Sequence, residues 1–132
     1  MQFKIDIFEK QVLNYKELFP ENHNIQQYEA RIYFFQGFMR QISGVHYDIY
    51  GGMFSPSLKG ELKAALNLYD KSLQLNEHSK TRTMKVFCYR QLKDINSALR
   101  ELNFIIKHYA DDEEVYLAAR KEKDELETRF KL

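Results

Sequence analysis

"AALNLYDKSLQLNE", residues 64–77, and "SALRELNFIIKHYA", residues 97–110, decide how this chain is read. Laid over one another at an offset of 33 positions, they pair Ala65 with Ala98, Leu66 with Leu99, Tyr69 with Leu102 and Ser72 with Ile105. Within each, the apolar residues fall three and four apart, which is the period of one helix face and not of a strand. A helix that recurs after roughly 33 or 34 residues is the mark of stacked helix-turn-helix units. A lone hairpin has too much apolar surface to stand by itself, and stacking buries it.

Outward from this pair, helical period covers most of the chain. Phe8, Val12, Tyr15 and Phe19 place a helix over 2–19, stopped by Pro20. A second helix starts near Asn24, carries Tyr28, Phe34, Phe35, Phe38, Met39 and Ile42, and is expected to end before Gly44. Ser55 and Pro56 resemble an N-cap and first helical position for the third, since proline loses nothing there by lacking an N–H. The fourth spans about 79–92, and Asp94 caps the fifth. "DDEE" opens a charged last helix at 112–131, with Asp111 as cap and Glu114 completing a capping box. The expectation is all-α: about six helices in antiparallel hairpins, in one domain over 1–132, with a long inter-helix loop at 43–60 and the last helix as a terminal cap.

Composition narrows the function classes. Twenty Lys and Arg against 19 Asp and Glu leave a formal charge of +1, so no global excess calls for nucleic acid or an anionic membrane. The single Cys88 excludes an internal disulfide and fits a reducing compartment. The N-terminal "MQFKIDIFEKQVLNYKELF" lacks an apolar signal centre, and no stretch reaches membrane-spanning length. These features predict a cytoplasmic protein without a membrane segment.

The "ALNLYDKSLQLNE" stretch resembles the second helix of a tetratricopeptide repeat: a small residue, an aromatic four later, then a turn. "YRQLKDINSALREL" (89–102) continues the pattern over a turn, with Tyr89 and Ala98 at the expected spacing. Ala30, Tyr33 and "YFFQG" (33–37) are similar to the first half of an earlier unit. The next small residue is due at residue 42 and arrives at Ala65, 23 positions late. The resemblance implies a right-handed superhelical array and a protein–protein interaction module of adaptor, scaffold or co-chaperone type, neither enzyme nor cofactor carrier. It also implies where a ligand would lie, on the first helix of each hairpin lining a concave groove. Those positions are Asn24, Gln27, Arg31, Phe34 and Phe35 in one helix and Lys80, Thr83, Phe87, Arg90 and Gln91 in the other. Arginine, amide and phenyl groups together suit a peptide with acidic and apolar side chains. The competing reading makes Phe34, Phe35 and Phe87 ordinary core residues. The expected partner is a protein or peptide, or a second copy of the chain.

Other candidates have plainer alternatives. "SKTRTMKVFCYRQLK" (79–93) holds Lys80, Arg82, Lys85, Arg90 and Lys93 with no acid, a pattern that contacts phosphates, with Phe87 or Tyr89 stacking on bases. The near-zero net charge favours instead a solvated face balanced by neighbouring acids. Cys88 lies among these cations, yet no histidine stands near it as a catalytic partner. His23, His46, His78 and His108 are too scattered for metal-ligand spacing, and three of them sit near predicted helix ends, where a cation favours a C-terminus. The 43–60 segment, "SGVHYDIYGGMFSPSLKG", has a Gly-Gly pair without the Lys-Ser/Thr of a phosphate loop, and its His46 and Asp48 lack a nucleophile. Its role is read as surface loop or as recognition through Tyr47, Tyr50 and Phe54.

Overall fold

A computed structural model describes residue 10, residues 23–50 and residues 56–130. The described residues hold five helices and no strand: α1 (His23–Tyr50), α2 (Pro56–Leu75), α3 (Ser79–Gln91), α4 (Ile95–His108) and α5 (Glu113–Phe130). The helix expected over 2–19 lies outside the described residues, so five helices stand where about six were expected. The chain divides into two compact units, Met1–Glu77 and His78–Leu132.

In the first unit α1 and α2 pack antiparallel along a row of small residues. Ala30, Gly37 and Gly44 recur every seven positions on α1, and all three are buried. Ser72 Oγ donates to the Ala30 carbonyl at 2.7 Å. A Cβ on Gly37 would lie 2.8 Å from Tyr69 Cε1 and 3.2 Å from the Ala65 carbonyl oxygen, so no larger residue fits without movement. A Cβ on Gly44 would lie 3.3 Å from Leu58 Cδ1. Glycine here lets the two helix backbones approach closely. The contacts run 30 to 72, 37 to 65 and 69, and 44 to 58, which fixes the antiparallel register. Two polar contacts reinforce it. Buried Tyr69 Oη donates to buried Gln41 Oε1 at 2.7 Å, and exposed Arg40 pairs with Glu61 at 3.2 Å.

This packing corrects the 43–60 segment. Its residues 43–50 continue α1, and 56–60 begin α2, leaving 51–55 between the helices. Glycine favours C-caps, which makes Gly44 the expected helix end from sequence. It is instead a mid-helix contact against Leu58, and the helix gains packing by running past it. Tyr47 and Tyr50 therefore belong to a helix and not to a loop, and Phe54 lies outside the described residues.

The second unit is built on α4. Ala98, Leu102 and Ile105 are buried with Val86 of α3 and Ala119 and Leu126 of α5. The α3–α4 turn is a Schellman motif: Lys93 has φ 62°, its N–H donates to the Arg90 carbonyl at 3.0 Å, and the Asp94 N–H donates to the Tyr89 carbonyl at 2.8 Å. Asp94 then caps α4, accepting from the Ser97 N–H at 3.2 Å and from Ser97 Oγ at 2.7 Å. The Ser97 hydroxyl and N–H bonds hold the Asp94 carboxyl below its ordinary value. The expected cap of α5 shifts by one residue. Asp112, not Asp111, accepts from the Val115 N–H at 3.3 Å. His78 is likewise an N-cap, its Nδ1 accepting from the Lys80 N–H at 3.1 Å, so it does not serve a helix C-terminus.

The two helices compared at the outset match in burial as in sequence. Ala65, Tyr69 and Ser72 are buried, and so are their counterparts Ala98, Leu102 and Ile105. Two glycines on neighbouring helices should respond oppositely to alanine. Gly37→Ala is expected to lower unfolding free energy by about 1–3 kcal/mol through overpacking. Gly60→Ala, whose added Cβ would meet nothing within 4 Å, should gain about 0.5–1 kcal/mol from helix propensity. Urea unfolding of the two variants checks this, and a neutral or stabilising Gly37→Ala would contradict the packing.

Candidate binding surfaces

On α1 the row of small residues takes the side facing α2, and this leaves aromatic residues elsewhere on the helix. Tyr28, Phe35 and Ile42 also recur every seven positions, and each remains 44–48% exposed. Arg31 is exposed beside them, its guanidinium carbon 5.7 Å from the centre of the Tyr28 ring. Phe34 is half-buried, with ring centroids 5.8 Å from Tyr69 and 5.6 Å from Phe35. Gln27 is exposed. Of the expected α1 residues, then, Gln27, Arg31 and Phe35 lie on the surface, and Phe34 belongs to the packing against α2. Tyr28 and Ile42 were missed. Their seven-residue spacing with Phe35 was visible in the sequence but was absorbed into one broad apolar stripe.

In the second unit α3 and α5 flank α4 and leave a groove between them. The groove is about 330 Å³ and is lined by Thr83 of α3, Leu102 and Ile105 of α4, and Glu114, Val115, Ala118, Ala119 and Glu122 of α5. The small side chains of Ala118 and Ala119 leave its space open. Thr83 lines it as expected, with its hydroxyl donating to the Ser79 carbonyl at 3.0 Å. Phe87, one turn further along α3, is 39% exposed. Lys80 and Gln91 are exposed as well. The α5 residues were missed because that helix was read only as a cap. The adjacent alanines in an otherwise charged helix were the available signal.

The charge pattern on α3 differs from a free basic face. Arg82 and Lys85 both bond Glu101 of α4, at 3.2 and 2.8 Å. The Lys85 and Glu101 side chains are nearly enclosed, at 8% and 12% exposure. Arg82 also lies 3.8 Å from the centre of the Phe104 ring, which stacks on His108 at 4.1 Å. Arg90 Nη1 donates to Glu122 Oε1 of α5. The guanidinium expected to attract an acidic ligand is therefore already neutralised within the unit.

Cys88 is buried, and burial pushes its thiol up from 9.0 to about 12, with Lys85 opposing in part. That is the opposite of an activated thiolate. Among the described residues no group of His, Cys, Asp or Glu is arranged to hold a metal ion, and no helix is long and apolar enough to cross a membrane.

Among the described residues the fold is all-helical, with α1 and α2 packed antiparallel in one unit and α3 and α5 packed on α4 in the other. Comparison of the chain with protein-family models, with curated proteins and with solved structures found no match.

Two outcomes follow for the enclosed groups. Glu101→Ala strips Arg82 and Lys85 of their shared acceptor and should destabilise the protein by about 3 kcal/mol, as breaking an enclosed ion pair does, measured by urea unfolding. A loss below a few tenths would show the pair to be solvated. Cys88 should resist thiol reagents at pH 8 except at the rate of opening. Because its folded pKa is raised, the associated stability is full below pH 9.0 and is lost as pH climbs towards about 12. Rapid stoichiometric labelling of the native protein would contradict the burial.

Proposed function

We propose that the chain is a tetratricopeptide-like protein-interaction module that holds a peptide or partner protein on the first helices of its hairpins. The observation that carries this is the exposure of Phe35 and Phe87. Each stands at a position the repeat pattern assigns to ligand contact, and each would be buried if its role were only to fill a core. Exposed aromatic rings beside arginine are typical of protein contact surfaces. The hairpins support the repeat reading through the matched burial of Ala65 with Ala98 and Tyr69 with Leu102. A cytoplasmic setting belongs to the same reading and rests on a single buried cysteine.

The alternative, nucleic-acid binding by residues 79–93, draws less support. Three of its five cations, Arg82, Lys85 and Arg90, are held by Glu101 and Glu122. A phosphate backbone would have to compete with those carboxylates. No catalytic chemistry is proposed.

The test combines capture with mapping. Partners retained from native lysate should protect α1 around residues 28–42 or the α3–α5 groove from hydrogen exchange. Phe35→Ser and Phe87→Ser, both at exposed sites, should reduce retention at least about fivefold, the effect of an aromatic contact worth about 1 kcal/mol or more. Helix content by circular dichroism should stay unchanged. Retention unaffected by both variants, or salt-sensitive retention of nucleic acid alone, would overturn the reading.

A further inference from the structure

The groove of the second unit specifies more than an apolar occupant. Its floor and walls are Leu102, Ile105, Val115, Ala118 and Ala119, and the polar groups at its edge are Thr83, Glu114 and Glu122. The two carboxylates are not equivalent. Glu122 bonds Arg90 and is neutralised at that end of the groove. Glu114 is exposed in the first turn of α5 and has no ion-pair partner among the described residues. Asp111, Asp112 and Glu113 stand beside it, all exposed. One carboxylate of an apolar groove is thus engaged by an arginine, and the other stands exposed among further acids. Part of that acidity serves the helix, because Asp112 caps α5 and acids favour a helix N-terminus. Glu114 is the acid that also lines the groove.

Resting on the binding reading above, we propose that this groove takes an apolar side chain from a partner segment whose neighbouring lysine or arginine lies against Glu114. The occupant is therefore an apolar-basic peptide, in place of the acidic-apolar one that the sequence pattern implied. Spacing follows from the helix. Glu114 and Ala118 are four residues apart, about 6 Å along α5, so the cation sits one or two residues from the apolar anchor. Charge complementarity selects the class, and the alanines supply the room.

The probes are three ten-residue peptides of Gly and Ser with one central leucine, flanked by lysines, by glutamates or by serines. Each is titrated into the full chain while amide chemical shifts are followed by NMR. The lysine peptide should bind about threefold tighter than the serine peptide, as expected of one partly exposed ion pair, and the glutamate peptide should bind weakest. Shifts should centre on residues 114–122 and 102–105. Glu114→Lys should reverse the order of the lysine and glutamate peptides. Ala118→Leu, at an exposed position, should fill the groove and abolish the shifts while the spectrum stays folded. If Ala118→Leu abolishes binding but the glutamate peptide is preferred, or Glu114→Lys changes nothing, the charge assignment fails and the groove survives as a site. If shifts map elsewhere and persist in Ala118→Leu, the groove fails as a binding site. If no peptide binds, the inference is overturned, and the α1 surface remains to be tested by Phe35→Ser.

Discussion

The close crossing of α1 over α2 at Gly37 is the constraint on which the first unit depends. The Tyr69 ring and the Ala65 carbonyl occupy the space that any side chain on residue 37 would need. Ala30 and Gly44 extend the same close approach along α1, and Ser72 and Leu58 meet them from α2. With backbones this close, the antiparallel register is set, and the Tyr69–Gln41 hydrogen bond falls into place inside it. The surface chemistry is a consequence. Because α2 is met by the row of small residues, the row of Tyr28, Phe35 and Ile42 is left on the outside of α1. The packing geometry and the candidate binding surface are two faces of one seven-residue spacing.

In the second unit electrostatics set the character of the surface. A helix that looks strongly basic in sequence has three of its cations engaged by acids from the next two helices. Enclosing Lys85 is tolerable only because Glu101 reaches it, and an enclosed pair of this kind contributes specificity of packing more than net stability. The two carboxylates that line the groove then differ, Glu122 being bonded to Arg90 while Glu114 is exposed. The high thiol pKa of Cys88 belongs to the same enclosed region and gives that residue a packing role.

Much of the fold was legible in the sequence. The three-and-four spacing placed the five described helices, Asp94 and Pro56 marked two starts correctly, and the offset of 33 positions anticipated which residues of α2 and α4 are buried. The errors share a cause. Gly44 has the same local chemistry whether it ends a helix or admits a neighbour, and only the position of Leu58 decides between them. Arg90 likewise reads as an anion receptor until Glu122, 32 residues away, is seen to hold it. The groove itself was not legible, because it is the space left when α3 and α5 both pack on α4. Its only trace in the sequence is a pair of alanines. For Phe34, Phe35 and Phe87 the sequence offered two roles, and burial divided them: Phe34 packs, while Phe35 and Phe87 are exposed.

The most direct measurement of the central claim is a nuclear Overhauser experiment on Gly37. Ring currents shift protons held close to an aromatic ring, and the direction that a Cβ would take on Gly37, occupied by one α-proton, leads to Tyr69 Cε1 and Cδ1. The account predicts strong cross-peaks between the Gly37 α-protons and the Tyr69 ring, with at least one α-proton displaced from its ordinary position. Absent cross-peaks and an ordinary glycine shift would contradict the close crossing, and with it the exposed aromatic face that follows from it.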